Sequence, residues 1–477
     1  MKKYNIITAI FISVILLHCA TGDQEPILIG RIMAKSAKEI QGSDLWIGGE
    51  VLDRDLCSYD AYKVYLGPLG AKKIRLQSGW AKTEKEKGNY DFGWLDHIVD
   101  DAISQGVQPW IQISYGNPIY PGGGGVSLGQ GLVNSDEALD AFARYTEALV
   151  GRFMDRVNEW EIWNEADLRH NAALGHDETS YARLFVKTAE AVRNLQPEAR
   201  IVALSLAHAG GTEFVDGFFK YLDERDKIDL VDVITFHGYP QNPDHGFDHV
   251  DRLIATVTRY NDKIEFWQGE TGCPSTFGST GALSGHHWTE LSQAKWDTRR
   301  ALAHLGRGYP FSLFLLSEFV YNDALRRGLN SKGILKIDEN DYSIKYAKPA
   351  YHAYQNLCSI FTHEFKFIED LDAAVVSDSS VSVFGWQNEQ GSKLLAYWTD
   401  SSIPSDSIIG HTISLGLEDV SFDEPVLVNT ISGDVFSLPS RYFIREGTQL
   451  EIVNIPCFDF PMILAEGSVL HLENLDQ

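Results

Sequence analysis

Cysteine is scarce in this sequence, with five residues in 477, at positions 19, 57, 273, 358 and 457. Numbers so low and spacings so wide exclude a disulfide scaffold, and spacing alone pairs none of Cys57, Cys273, Cys358 and Cys457. No CxxC or HExxH pattern occurs, so nothing nominates a metal, and no cofactor is called for. The Gly122–Gly125 run lacks both the GxGxxG spacing and a following Lys-Ser/Thr pair, which leaves it as a flexible loop. Positive charge is also short: 41 Lys and Arg stand against 66 Asp and Glu, a formal net charge of −25. Such a field repels phosphate backbones and anionic lipid, so no nucleic-acid partner is expected and a neutral or cationic substrate is favoured. The acidity is spread out, with no charged tail. Beyond the N-terminus no apolar run reaches the roughly 20 residues of a membrane-spanning helix. No internal repeat stands out either.

What is present begins with an export signal. Lys2 and Lys3 precede an apolar stretch from Ile6 to Leu17, too short to span a membrane. Leu16-Leu-His-Cys19 then resembles a bacterial lipoprotein signal, with Cys19 the lipidated residue, although His18 departs from the small residue usual there. The expectation is an exported lipoprotein at the periplasm or cell surface, touching membrane only through its lipid, or otherwise a secreted protein. The length suits a barrel of roughly 250–350 residues plus a smaller unit. Hydrophobic residues at 44% and charged residues at 22% permit a large core. Aromatic content of 12% is generous, as in clefts where sugar faces stack on rings, though most such rings are core.

Apolar runs of strand length alternate with segments of helical period. The runs are Leu45–Gly48, Lys73–Leu76, Pro109–Ser114, Val157–Glu165, Ile201–Leu206, Val231–Phe236, Ile264–Gln268 and Phe311–Leu316. Between them, Ala138 to Phe153, Tyr181 to Leu195 and Leu291 to Leu305 repeat apolar residues at three and four. Eight strands with intervening helices predict a (β/α)8 TIM barrel, an α/β fold. After Tyr351–Cys358, the last barrel helix, short alternating strands from Val381 to Leu464 predict a C-terminal antiparallel β-sandwich. The division is 1–19 signal, 20–40 linker with an N-terminal strand at Ile27–Ile32, 41–360 barrel and 361–477 sandwich.

Two of the runs end in carboxylates, Glu165 on the fourth and Glu270 on the seventh. Strands three apart in an eight-strand barrel bring their tips face to face across its mouth. One protonated and one ionised carboxyl there are what glycoside hydrolysis needs. Trp160-Glu-Ile-Trp-Asn-Glu165 with Glu270-Thr-Gly272 resembles clan A of the glycoside hydrolases. Gly116-Asn-Pro118, Gln293-Ala294 and Lys348-Pro-Ala-Tyr351 make the chain most similar to glycoside hydrolase family 39 and its relatives, over about residues 40–465.

The resemblance implies a retaining glycosidase that cleaves β-type bonds of plant or host oligo- or polysaccharides through a glycosyl-enzyme. Glu165 would be acid/base and Glu270 nucleophile, the charge of Glu270 keeping Glu165 in its acid form until Glu270 is esterified. Asn164 would bond the sugar 2-hydroxyl, and Arg75 and Tyr239 would stand beside the nucleophile. His237 is read as facing substrate. Trp80, His208, Trp288 and Glu318, at or just past strand ends, are candidates to shape sugar subsites. Two departures bear on specificity. Leu316-Ser-Glu-Phe319 stands where many relatives keep a Trp under the sugar, and Glu50 is an unexpected carboxylate past the first strand.

Two other readings compete. One is a non-catalytic carbohydrate-binding barrel, which the presence of both glutamates in full motif disfavours. The other is an adhesion lipoprotein, which would show an exposed aromatic platform on the sandwich, with Trp386 and Trp398 as candidates.

Overall fold

The computed structural model describes residues 25–168, 177–322, 326–418, 420 and 422–473. The signal segment and Cys19 lie outside the described residues.

Eight parallel strands close into a barrel in chain order. They are Leu45–Gly48, Lys73–Gln77, Gln108–Ile113, Glu159–Ile162, Arg200–Leu206, Val233–His237, Glu265–Thr271 and Phe311–Leu313. Pairing of Leu45 with Phe311 joins the last strand to the first. The interior below the mouth is plugged by Trp46, Trp110 and Trp267, from the first, third and seventh strands. Their rings meet edge to face with centroids 4.9–5.7 Å apart. Alternate strands thus supply one layer, as barrel geometry requires, and the plug leaves only the C-terminal end open for chemistry.

The outer helices follow the apolar periodicity and are stopped and started by local chemistry. Helix Asp136–Phe153 begins where Ser135 accepts a hydrogen bond from the Ala138 amide. Helix Glu178–Leu195 begins at Asp177, which accepts from Ser180. Helix Glu290–Leu305 starts in a capping box between Thr289 and Ser292. Each cap satisfies amide donors that the first turn leaves without partners.

Two short hairpins follow the eighth barrel strand, Phe319–Asn322 with Arg327–Asn330 and Leu335–Ile337 with Ile344–Ala347. The sequence reading did not anticipate them, because strands of three or four residues carry too few alternations to register.

The C-terminal region forms two antiparallel sheets, of eight and four strands. Leu395, Tyr397 and Leu464 from the first share a buried cluster with Ile413, Leu415 and Ile452 from the second. The expected N-terminal strand Ile27–Ile32 is present. It pairs with Asp434–Ser437 and Leu472–Glu473, with an Arg31–Asp434 ion pair at 2.7 Å. The first and last strands of the described residues therefore meet in one sheet, which staples the described chain around its barrel.

Helix Glu290–Leu305 is sandwiched between barrel and sheets, and its charged residues find partners there. Lys295 bonds Asp459 at 2.7 Å, and Arg299 holds Asp244 and donates to the Ser402 carbonyl at 3.0 Å. Trp386 and Trp398 are both core, 3% and 0% exposed, and the Trp398 indole donates to Asp244 at 2.8 Å. Neither forms an exposed platform. Among the described residues no helix is long and apolar enough to cross a membrane.

Candidate active site

The chain turns sharply after the fourth barrel strand. Trp163 and Glu165 take positive φ of 69° and 50°, as do Leu204 and Ser205 in the irregular end of the fifth strand, at 73° and 44°. Non-glycine residues adopt this region at a cost of about 1–3 kcal/mol, so neighbouring structure must hold them there. It does: the Trp163 amide donates to Ile113 and the Glu165 amide to Ser205, at 3.1 and 2.8 Å. The turn aims Glu165 over the barrel axis. Glu270, from the seventh strand, comes from the other side. One oxygen of each carboxyl and one ring nitrogen of His237 lie within 4.8 Å of one another.

Arg75, on the second strand and wholly buried, organises the floor. Its Nε donates to Glu161 Oε2 at 2.8 Å, and Nη1 donates to Glu270 Oε2 at 2.7 Å and Glu50 Oε1 at 3.1 Å. Nη2 donates to Asn164 Oδ1 at 3.0 Å and Ser205 Oγ at 2.9 Å. All five guanidinium hydrogens have acceptors, and three of those acceptors are carboxylates. A planar fork of fixed charge suits this role as lysine would not.

The other Glu270 oxygen, Oε1, accepts from the Tyr239 hydroxyl at 2.7 Å. His237 Nδ1 is 2.8 Å from Glu165 Oε1 and 3.8 Å from Glu270 Oε2, while its Nε2 meets Ser205 Oγ at 3.2 Å. Asn164 donates to the Tyr115 hydroxyl at 3.0 Å. Burial pushes the Glu270 carboxyl up, but the charges of His237 and Arg75 and the Tyr239 hydrogen bond outweigh it and hold it below the ordinary carboxylate range. Burial drives His237 toward its neutral form, yet Glu270 and Glu165 together raise it above an ordinary histidine. Burial also raises Glu50, to about 7, despite Arg75 beside it. Glu50 Oε2 has no hydrogen-bond partner among the described residues.

Glu165, Glu270, Asn164, Arg75, His237 and Tyr239 therefore come together at one point. The other four expected residues do not join them. Trp80 is fully buried, its ring stacked on Tyr120 at 5.4 Å and its indole donating to Glu84. Trp288 is 3% exposed and packs with Cys273 and Trp296. Glu318 is buried in ion pairs with Lys348 at 2.6 Å and Lys336 at 3.1 Å. His208 is exposed, its ring nitrogen accepting from the Gly210 amide. A position near a strand end does not say which way a ring points, and three of these four point into the core. Sequence reasoning missed Glu161, Ser205, Tyr115 and Gln112, whose amide on the third strand donates to Glu161 at 3.0 Å and Asn164 at 3.1 Å. Glu161 did leave a signal: a carboxylate between Trp160 and Ile162 on a buried strand requires a buried cation.

The sequence profile described as Glycosyl hydrolases family 39 matches residues 75–257, a span running from Arg75 past Tyr239 but ending before Glu270. A beta-xylosidase of Geobacillus stearothermophilus is 25% identical over 164 residues, which is 33% of this chain and 32% of that protein. The match thus spans about a third of that relative's length. Among solved structures, a family 39 glycoside hydrolase from Bacteroides cellulosilyticus is similar with a TM-score of 0.62. It is 18% identical, covering 89% of this chain and 80% of that one. A monomeric beta-xylosidase from Caulobacter crescentus has a TM-score of 0.58 at 15% identity, covering 94% and 98%. The likeness to clan A enzymes, and to family 39 in particular, is borne out.

Proposed function

We propose that this protein, similar to family 39 glycosyl hydrolases from the second to the sixth strand of its barrel and to their solved structures over most of its length, is a retaining glycosidase that hydrolyses β-type O-glycosyl bonds of oligo- or polysaccharides. The observation that carries the reading is the pairing of Glu165 and Glu270. Their oxygens lie within 4.8 Å of each other, compatible with the roughly 5–5.5 Å carboxyl separation of retaining enzymes and too close for an inverting water. The two carboxyls also differ in environment. Glu270 is held ionised by Arg75 and Tyr239, which suits a nucleophile, whereas Glu165 meets the His237 ring at 2.8 Å.

In the first step Glu270 attacks the anomeric carbon while Glu165 protonates the departing oxygen, and the C–O bond breaks. In the second, Glu165 takes a proton from water, whose oxygen attacks the same carbon and releases Glu270. His237 orients the Glu165 carboxyl across their 2.8 Å contact, and Ser205 fixes the other side of its ring. Asn164, locked by Arg75 and Tyr115, is placed to bond the sugar 2-hydroxyl. Arg75 keeps Glu270 charged before attack and receives its charge again on release.

In this proposal residues 41–360 are the catalytic barrel and 361–477 an accessory β-sandwich, a reading supported by the core that the two sheets share. Residues 1–19 direct export and Cys19 takes the lipid that holds the enzyme at a membrane. Reaction with 2-deoxy-2-fluoro glycosides followed by peptide mapping tests the assignment. The label is expected on Glu270 and absent from Glu270→Gln, and a label on any other residue would overturn it.

A further inference from the structure

Lys332 lies between the strands Arg327–Asn330 and Leu335–Ile337, and it is 1% exposed. Other buried lysines nearby have carboxylates: Lys348 has Glu318 and Lys295 has Asp459. Among the described residues no carboxylate oxygen lies within 4.0 Å of Lys332 Nζ. The amine stands 5.4 Å from the centre of the Tyr239 ring, the same tyrosine that donates to Glu270. Glu270 has no need of it, since Tyr239 holds one of its oxygens and Arg75 the other. Lys332 is a surplus cation at the edge of the proposed sugar site.

Its surroundings are those of a small donor-lined niche. Gly281 has φ of +88°, and a Cβ there would stand 3.4 Å from both Lys332 Nζ and Asn330 Nδ2. The absent side chain leaves that space open between an ammonium and an amide. Asn330 is itself buried, accepts from the Lys332 amide at 3.2 Å and hydrogen-bonds the Tyr321 hydroxyl. The titratable groups that face the amine are Cys273 after the seventh strand, Glu270 on that strand and Asp297 on helix Glu290–Leu305. Burial pushes the amine down to about 8 against their pull. An anion seated in the niche would reverse that penalty.

We propose that Lys332 and Asn330 form a subsite for an anionic substituent, carboxylate or sulfate, on the sugar ring held against Glu270. The inference rests on the glycosidase reading and reverses the expectation of a neutral or cationic substrate drawn from net charge. Remote surface charge is screened over about 10 Å at 0.1 M salt, so a buried site answers to its own few groups and not to the whole-chain total of −25. The competing account makes Lys332 a cation–π partner of Tyr239 with no ligand.

The test compares 4-nitrophenyl β-glucuronide and β-galacturonide, and 6-sulfated β-glucoside and β-galactoside, with the unsubstituted glucoside and galactoside. The full chain, Lys332→Met and Lys332→Arg are assayed, with melting temperatures in parallel. At least one anionic glycoside is expected to exceed its neutral parent in kcat/KM by about 10-fold or more. That ratio should fall by about 100-fold in Lys332→Met and be partly kept in Lys332→Arg. Comparison of the uronide and sulfate arms names the anion. Equal rates for anionic and neutral glycosides, or a ratio unmoved in Lys332→Met, would overturn the proposal. Calorimetry of glucuronate, galacturonate, glucose and galactose on the Glu270→Gln protein separates the two readings. If no glycoside is turned over, the glycosidase assignment fails, while uronate binding that Lys332→Met abolishes still supports the subsite. Binding with no preference for the anion overturns the subsite whatever the turnover.

Discussion

Tyr239→Phe removes one hydrogen bond from Glu270 and leaves the ring in place. The bond lost is a 2.7 Å O–H···O⁻ contact, buried and charge-assisted, the kind worth about 1.5–3 kcal/mol. One unit of pKa is about 1.4 kcal/mol, so the Glu270 carboxyl should rise by about 1–2 units. The parent carboxyl lies below its ordinary 4.5, which puts the acid limb of kcat/KM below that pH. The variant should carry its limb upward by the same 1–2 units, losing most at the acid end of the profile and far less near pH 8. Deglycosylation should also slow, because the departing carboxylate has lost a donor, so the glycosyl-enzyme accumulates and kcat becomes insensitive to the leaving group. The stability effect has a definite sign. A carboxyl with a depressed folded pKa adds stability above its unfolded pKa, and that stability is lost as pH falls through the folded value. With less depression, the variant should melt lower than the parent at pH 7 and lose less of its remaining stability on acidification. The assay is a pH–rate profile with a chromogenic glycoside, with calorimetric melting alongside. An acid limb that stays put or moves down, in a variant that melts as a folded protein, would refute the role given to Tyr239.

Other substitutions probe the rest of the site and the fold. Glu165→Ala should harm glycosides with poor leaving groups most, and added azide should restore turnover of activated ones; equal losses across leaving groups would remove Glu165 from the acid role. Glu50 is raised to about 7, so the parent should lose stability as pH climbs from about 5 through 7, where a buried neutral acid must ionise. Glu50→Gln should flatten that fall, visible in melting temperatures from pH 5 to 8. Arg75→Met leaves Glu161, Glu50 and Glu270 buried without their cation, and breaking such a network costs about 3–5 kcal/mol; a large drop in denaturant midpoint and loss of turnover are expected together. Trp398→Ala, in a fully buried site, should cost about 3–5 kcal/mol by cavity formation, measured by urea unfolding.

The chemistry was legible because it sits in local pattern. A strand of four residues, Glu159–Ile162, followed by Trp-Asn-Glu, is a contiguous signal, and so is Glu265–Thr271 around Glu270. Counting strands then places the two tips opposite each other, since barrel closure leaves no freedom of order. The barrel's helices were legible for the same reason, as caps and apolar stripes are matters of neighbours three or four apart. Direction was not legible. Trp80, Trp288 and Glu318 stand where subsite residues stand in sequence, yet packing turned each of them inward.

What the sequence by itself determined is the set of elements, their order and the two carboxylates at strand ends, all fixed by interactions between close neighbours. Only the tertiary structure decided which distant residues meet. Arg31 reaches Asp434 across 403 positions and makes the N-terminal strand part of the last sheet. Arg75 gathers Glu50, Glu161, Asn164, Ser205 and Glu270 from four different segments. Lys332 reaches the ring of Tyr239 from the link between two hairpins that no periodicity announced. Pairings of this kind depend on how whole layers pack, and burial then sets the charge of every group it encloses; neither quantity exists until the chain is folded.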